Sequence, residues 1–201
     1  MMYDYLKNLK QEKGFMPAKI LDIGAWNGFW TNKVKEIWPD AYYTCIEAGP
    51  KHEKKLKEIT ANYHIAVLGN ENKDVKMYLR EIDKGNRKKI TYTKGSTIFG
   101  IFENYEIRKM QTLDTLVGVD AKFDLIKQDV QGAEIMVMEG APNIFQNAKY
   151  VIQEVNLYPN EQFPEMPHEK MMDDYMTRLG FKNCEVIERK DGAEQIDKIY
   201  F

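Results

Sequence analysis

Short apolar runs alternate with amphipathic stretches along this chain, the pattern of a mostly parallel sheet covered by helices. Residues 2–13 predict a polar N-terminal helix with Tyr5, Leu6 and Leu9 turned inward. Residues 19–25 (KILDIGA) predict a buried strand. Trp30, Val34, Ile37 and Trp38 then recur on one helix face that Pro39 ends. A second strand over 42–48 is closed by Gly49-Pro50. Leu56 and Ile59 mark the inner side of a lysine-rich helix over 51–60, and 63–68 form a third strand. Regular alternation resumes with a strand at 124–130, a helix from about Ala133 and a strand at 150–157. Met171, Met172, Tyr175, Met176 and Leu179 define a helix that stops at Gly180. Residues 184–189 and 196–201 then pair as closing strands, with Asp191-Gly192 in their connection.

Two stretches break this rhythm. Residues 70–111 carry charge, glycines at 85, 95 and 100, and short β-like pieces at 75–79 and 90–93. They predict an irregular β-containing insertion or β-meander, not a separate domain, within a single domain spanning 1–201. Residues 158–167 hold three of the seven prolines and predict a stiffened loop.

Composition narrows the function classes. With 29 Lys+Arg against 31 Asp+Glu, the net charge of -2 argues against a nucleic-acid partner, because such a surface releases few counterions. Mean hydropathy is -0.57 and no long apolar run occurs, which predicts no membrane span. The N-terminus lacks the apolar core of a secretory signal. Cys45 and Cys184 offer neither a disulfide framework nor metal-ligand spacing. A cytoplasmic protein, monomer or homodimer, is the expectation.

A doubly wound sheet binds ligands beyond the carboxyl ends of its strands, so the chemistry is sought there. After the first strand comes Asp22-Ile-Gly24-Ala25-Trp26-Asn27-Gly28, where glycines let backbone approach a ligand closely. The spacing D-x-G-x-x-x-G is not the G-x-G-x-x-G of a nicotinamide oxidoreductase, and any tight strand-to-helix turn can use two glycines. Glu47 ends the second strand, one βαβ unit later, where an acid can accept both hydroxyls of a ribose. Lys127 and Gln128 point to opposite faces of a doubly buried strand and need partners, since an unpaired buried polar group costs roughly 2–7 kcal/mol. Asp129 falls at that strand's carboxyl end, and Glu134 in the first turn of the next helix, where the dipole favours an anion.

ILDIGAWNGFWT, CIEAGP, KGSTIFG, QTLDTL, FDLIKQDVQGAE and VIQEVNL, in this order, resemble the FkbM family of S-adenosylmethionine-dependent methyltransferases, from about Lys19 to Leu157. The resemblance implies an α/β fold, a doubly wound, mostly parallel seven-stranded Rossmann-like sheet with an antiparallel last strand. It implies S-adenosylmethionine as cofactor, with Asp22, Gly24, Ala25, Trp26, Asn27 and Gly28 around its methionine end. Glu47, with Ala48 beside it, would take the ribose hydroxyls, and Asp129 and Val130 would lie near the sulfonium. Trp26 departs from the family, which usually has Asn there. Asn tolerates a left-handed backbone and Trp does so poorly, so either Asn27 takes that conformation or Trp26 packs against the ligand.

Methyl transfer to a hydroxyl benefits from a base or a metal. Asp129 and Glu154 are the candidate bases, with His168 a third after the proline loop. A divalent metal on Asp129, Glu154 and Asn156 is the less favoured arrangement. Ser96 in KGSTIFG is expected to reach the cofactor or acceptor. The expected activity is O-methylation of a sugar, glycan or glycosylated small molecule. The alternative is a non-catalytic cofactor- or glycan-binding module of the same fold.

Overall fold

The computed structural model describes residues 2–83, 89–100, 103–189 and 194–201, with backbone alone for 80–83 and 89–96. Helix α1 (Met2–Lys13) leads to β1 (Lys19–Ile23), α2 (Phe29–Lys35) and β2 (Tyr42–Glu47). A 3-10 turn at Pro50–His52 runs into α3 (Glu53–Ile59), followed by β3 (Asn62–Ile65) and β4 (Val67–Leu68). Next come β5 (Lys73–Asp83), β6 (Lys89–Thr97), β7 (Tyr105–Gln111) and α4 (Leu113–Val117). The chain continues through β8 (Leu125–Gln128), α5 (Glu134–Glu139), α6 (Pro142–Gln146), β9 (Tyr150–Asn156) and α7 (Glu169–Arg178), and ends with β10 (Cys184–Arg189) and β11 (Gln195–Tyr200).

Seven strands form the main sheet in the order β10-β11-β9-β8-β1-β2-β3. The five strands from β9 to β3 run parallel, and β11 is antiparallel to both of its neighbours, as the resemblance implied. Strand order reverses at β1, which lies between β2 and β8. A ligand crevice is therefore expected at the carboxyl ends of β1 and β8.

Alternation along each strand divides the core between the two faces. Leu21, Ile23, Ile126, Val151 and Val155 pack with α5, α6 and α7. Ile20, Leu125, Ile152 and Ile199 pack with α1 and α2. Asp22, Lys127, Glu154 and Asp197 share the parity of this second set. The same alternation that buries an aliphatic row thus sets an ionisable row beside it, towards the carboxyl ends. In the register Asp22 pairs with Lys127, and Glu154 with Asp197.

One expectation is corrected. Residues 63–68 are not one strand: the chain switches sheets at Ala66, and β4 pairs parallel with β7. The β-like pieces at 75–79 and 90–93 lie within β5 and β6, and β4, β7, β5 and β6 form a second, four-stranded sheet in that order. Its small core of Val67, Met77 and Met110 packs against Ala48 and Met136, at the rim of the crevice. The Asp191-Gly192 connection and Gly85 lie outside the described residues.

Candidate active site

Gly24 sets the closest approach in the crevice. It adopts φ 79, and a Cβ on it would stand 1.8 Å from the carbonyl oxygen of Asp129, so only glycine lets the ends of β1 and β8 meet. Asp129 N–H in turn donates to the carbonyl of Ile23 at 2.9 Å. Trp26 itself takes the left-handed conformation, at φ 49, and Asn27 does not. Glu47 makes this turn tenable: its Oε2 accepts the Trp26 N–H at 2.8 Å, while Oε1 accepts the Gly49 N–H at 2.6 Å. The Trp26 ring stands edge-on to His52, with centroids 6.0 Å apart.

Asp22 is buried beneath this turn. Its Oδ2 accepts the Thr31 hydroxyl at 2.5 Å, whereas Oδ1 has no hydrogen-bond partner among the described residues. Burial raises its pKa, with Lys127 and Thr31 opposing. The Thr31 hydroxyl also lies 3.3 Å from Cys45 Sγ, and burial pushes that thiol up to about 12.

Across the crevice, Lys127 Nζ lies 3.3 Å from Asp129 Oδ2. Burial opposes its charge, but Asp129 and Asp22 outweigh that and hold the lysine protonated. Gln131, also left-handed at φ 57, donates through Nε2 to Asp129 Oδ1 and to Glu154 Oε2, each at 2.7 Å. Burial alone would raise Asp129, yet Lys127 and the bonds from its neighbours pull it below the ordinary range. Glu154 moves the other way: burial, then the charge of Asp129, pushes it up to about 8. Two carboxyls on adjacent strands thus differ in protonation at neutral pH. On the opposite face Gln128 finds the partners it needs, donating to the Glu134 carbonyl at 3.0 Å and accepting from Gln153 at 3.1 Å. Glu134 accepts the N–H groups of Val130 and Gly132, a structural role at its helix start.

The turn after β1, Glu47 and the carboxyl pair line one cleft of about 800 Å³. It holds Asp22, Gly24, Ala25, Trp26, Glu47 and Ala48 at one end, and Asp129, Val130, Gln131 and Glu154 beyond. Met2 and Tyr3 of α1, with Glu188 and Asp197, close the far side. Other expected site residues sit elsewhere. Asn27 Oδ1 accepts the Phe29 N–H at 3.2 Å. Gly28 packs on α3, where a Cβ would stand 2.1 Å from Ile59 Cδ1. His168 begins α7 and bridges to Asn156 by backbone, outside the cleft. Asn156 commits its amide to Pro167 and Gln195. Among the described residues no three side chains converge as a metal site. The Ser96 side chain lies outside the described residues, but its neighbour Thr97 lines the cleft.

The FkbM methyltransferase domain model matches residues 22–182. The chain belongs to the FkbM methyltransferase family. The FkbM methyltransferase of Methylobacillus flagellatus KT superposes with a TM-score of 0.59 at 12% identity, covering 100% of this chain and 48% of that one. This chain therefore spans about half the length of that relative. The N-methyltransferase NodS of Bradyrhizobium japonicum WM9 aligns at TM-score 0.52 and 11% identity, over 98% of this chain and 92% of its own. The plantazolicin methyltransferase BpumL, in complex with a monoazolic desmethylPZN analog and SAH, aligns at 0.50 and 9%, over 99% and 81%. At such identities these likenesses show the fold. No curated protein sequence matches significantly.

The crevice of this FkbM-family chain suits the cofactor that the family implies. Asp22 Oδ1, buried and unpaired, offers an acceptor to an ammonium group. Each Glu47 oxygen spends one lone pair on a backbone N–H and keeps another for a hydroxyl donor.

Proposed function

We propose that this chain is an S-adenosylmethionine-dependent O-methyltransferase acting on a hydroxyl of a sugar, glycan or glycosylated small molecule, as a single cytoplasmic domain. The observation that carries the reading is the Asp129–Glu154 pair, two carboxyls that line the cleft and share the Gln131 amide at 2.7 Å each. Burial and the Asp129 charge raise Glu154, while Lys127 lowers Asp129. The cofactor, when bound, supplies an electrophilic methyl group on a sulfonium. Asp22 takes the ammonium of its methionine end, and Glu47 takes the ribose hydroxyls. Ala25, Trp26, Ala48 and Val130 form walls beside them. Asp129, held anionic by Lys127, favours positive charge next to it. Glu154 accepts the proton that the acceptor hydroxyl loses as its oxygen attacks. A base performs best when its pKa lies near the working pH, which favours Glu154 over Asp129 for this step.

Calorimetry with S-adenosylmethionine, followed by methyl transfer to a panel of hydroxylated acceptors, tests the reading. The expected result is binding that Glu47→Ala weakens at least tenfold. The expected rate climbs with pH through about 8 and collapses in Glu154→Gln. No binding at millimolar cofactor would end the proposal. Binding without turnover on any acceptor would favour the non-catalytic module instead.

A further inference from the structure

Two segments distant in sequence close on the turn that follows β8. Thr97, the last residue of β6, donates its hydroxyl to the Gln131 carbonyl at 2.7 Å and accepts the Phe99 N–H at 3.1 Å. A Cβ on Gly132 would stand 2.5 Å from Met166 Cε and 3.2 Å from the Phe99 ring, so the proline loop and the small sheet's connection both press on this backbone. Within that clamp Gln131 is left-handed, a conformation few residues other than glycine adopt. Its side-chain nitrogen has two hydrogens and sends one to each carboxyl of the pair, so its donor capacity is fully used.

We propose that Gln131 is a positioning residue: its amide fixes Asp129 and Glu154 relative to one another, and Thr97 fixes the backbone from which that amide reaches. The small sheet thereby sets the geometry of the proton-accepting pair. This inference rests on the proposed role of Glu154, but its core is a property of the ligand-free chain. A neutral donor bonded to both carboxyls favours their ionised forms. It acts among Lys127 of β8, Asp129 just beyond it, Asp22 of β1, Glu47 of β2, Glu188 of β10, Asp197 of β11 and Tyr3 of α1, which share the cleft. Removing the amide leaves the carboxyls facing each other with one donor fewer apiece, and the proton on Glu154 is held more tightly.

Carboxyl titration by 13C NMR on the ligand-free chain, with the Glu154 signal assigned through Glu154→Gln, provides the test. Gln131→Asn, Gln131→Ala and Thr97→Val are compared with the parent. Asn accepts a left-handed backbone readily but is one methylene short, so Gln131→Asn separates the amide bridge from the fold. Both Gln131 variants are expected to raise the Glu154 midpoint by half a pH unit or more, and Thr97→Val by less in the same direction. In turnover, Gln131→Asn should lose at least tenfold in kcat at pH 7, with the KM for cofactor changed less than threefold. An unchanged midpoint in a folded Gln131→Asn variant overturns the inference. A raised midpoint in a chain that binds no cofactor would leave it standing and overturn the proposed function.

Discussion

Gly24, Trp26 and Gln131 shape the crevice, and they were not equally legible. The D-x-G-x-x-x-G spacing announced a tight turn, and Gly24 proves to be the contact between the ends of β1 and β8. Gly24→Ala is expected to cost at least about 2 kcal/mol, because backbone must shift as well as strain. Gly14 is the control: it has φ 63 with open space around it, so its Ala variant should lose only about 1 kcal/mol. Urea midpoints compare them, and equal losses would contradict the close approach. The sequence points to Asn27 as the left-handed residue or to packing of Trp26 against the ligand, whereas Trp26 itself is left-handed. The deciding bond, from the Trp26 N–H to Glu47, crosses between strands and leaves no trace in local sequence. Gln131 was passed over for the same reason, since its role needs both an unusual φ and a partner 23 residues away.

At the level of elements, the parallel sheet was readable because each of its strands is an apolar run bounded by turn residues. In the small sheet the pieces at 75–79 and 90–93 mark β5 and β6, whereas β4 and β7 carry no such signal. β4 is two residues long and finds β7 across the whole insertion. β7 is largely exposed, so it carries no apolar run. The closing helix was legible from its methionine stripe, but what fastens it was not. Lys198, buried on β11, reaches Asp173 of α7 at 2.6 Å and Glu169 at 3.2 Å, and the Tyr200 hydroxyl donates to Asp173 at 2.7 Å. Asp173→Ala leaves the buried lysine with Glu169 alone and removes the partner of the Tyr200 hydroxyl, and should destabilise the fold by about 1–3 kcal/mol. Lys198→Met, which removes the charge itself, should cost less. Thermal melts of the two variants give the order, and the reverse order would refute the account.

Across the whole molecule, several buried carboxyls titrate late. Burial raises Glu154 to about 8, and raises Glu134 to about 7 despite the N–H groups it accepts; Asp22 and Glu47 shift upward as well. Between about pH 4 and pH 8 the folded chain therefore binds more protons at these sites than the unfolded chain, and their contribution to stability falls as pH rises. Asp129 has the opposite sign, and its contribution is lost only in acid. Burial lowers His52 and His64, which opposes this fall below about pH 6.5. The melting temperature should accordingly fall from about pH 6.5 to pH 8.5, with a shallower slope in Glu154→Gln. A melting temperature that rises over this interval would contradict the balance. Fold class and most of the crevice followed from the order of motifs. Proton occupancy did not, because it depends on how deeply each carboxyl is buried and on which neighbour it meets.

Cys45 lies behind the Asp22–Thr31 bond, fully buried, while Cys184 is exposed. A thiol reagent added to the native chain therefore meets one fast site and one that opens only when β1 and β2 part. The slow site acts as a clock on the floor of the crevice. Any small molecule that settles in the crevice lengthens its period by the factor 1 + [L]/Kd, so ligands can be ranked by alkylation rate before a single acceptor is known.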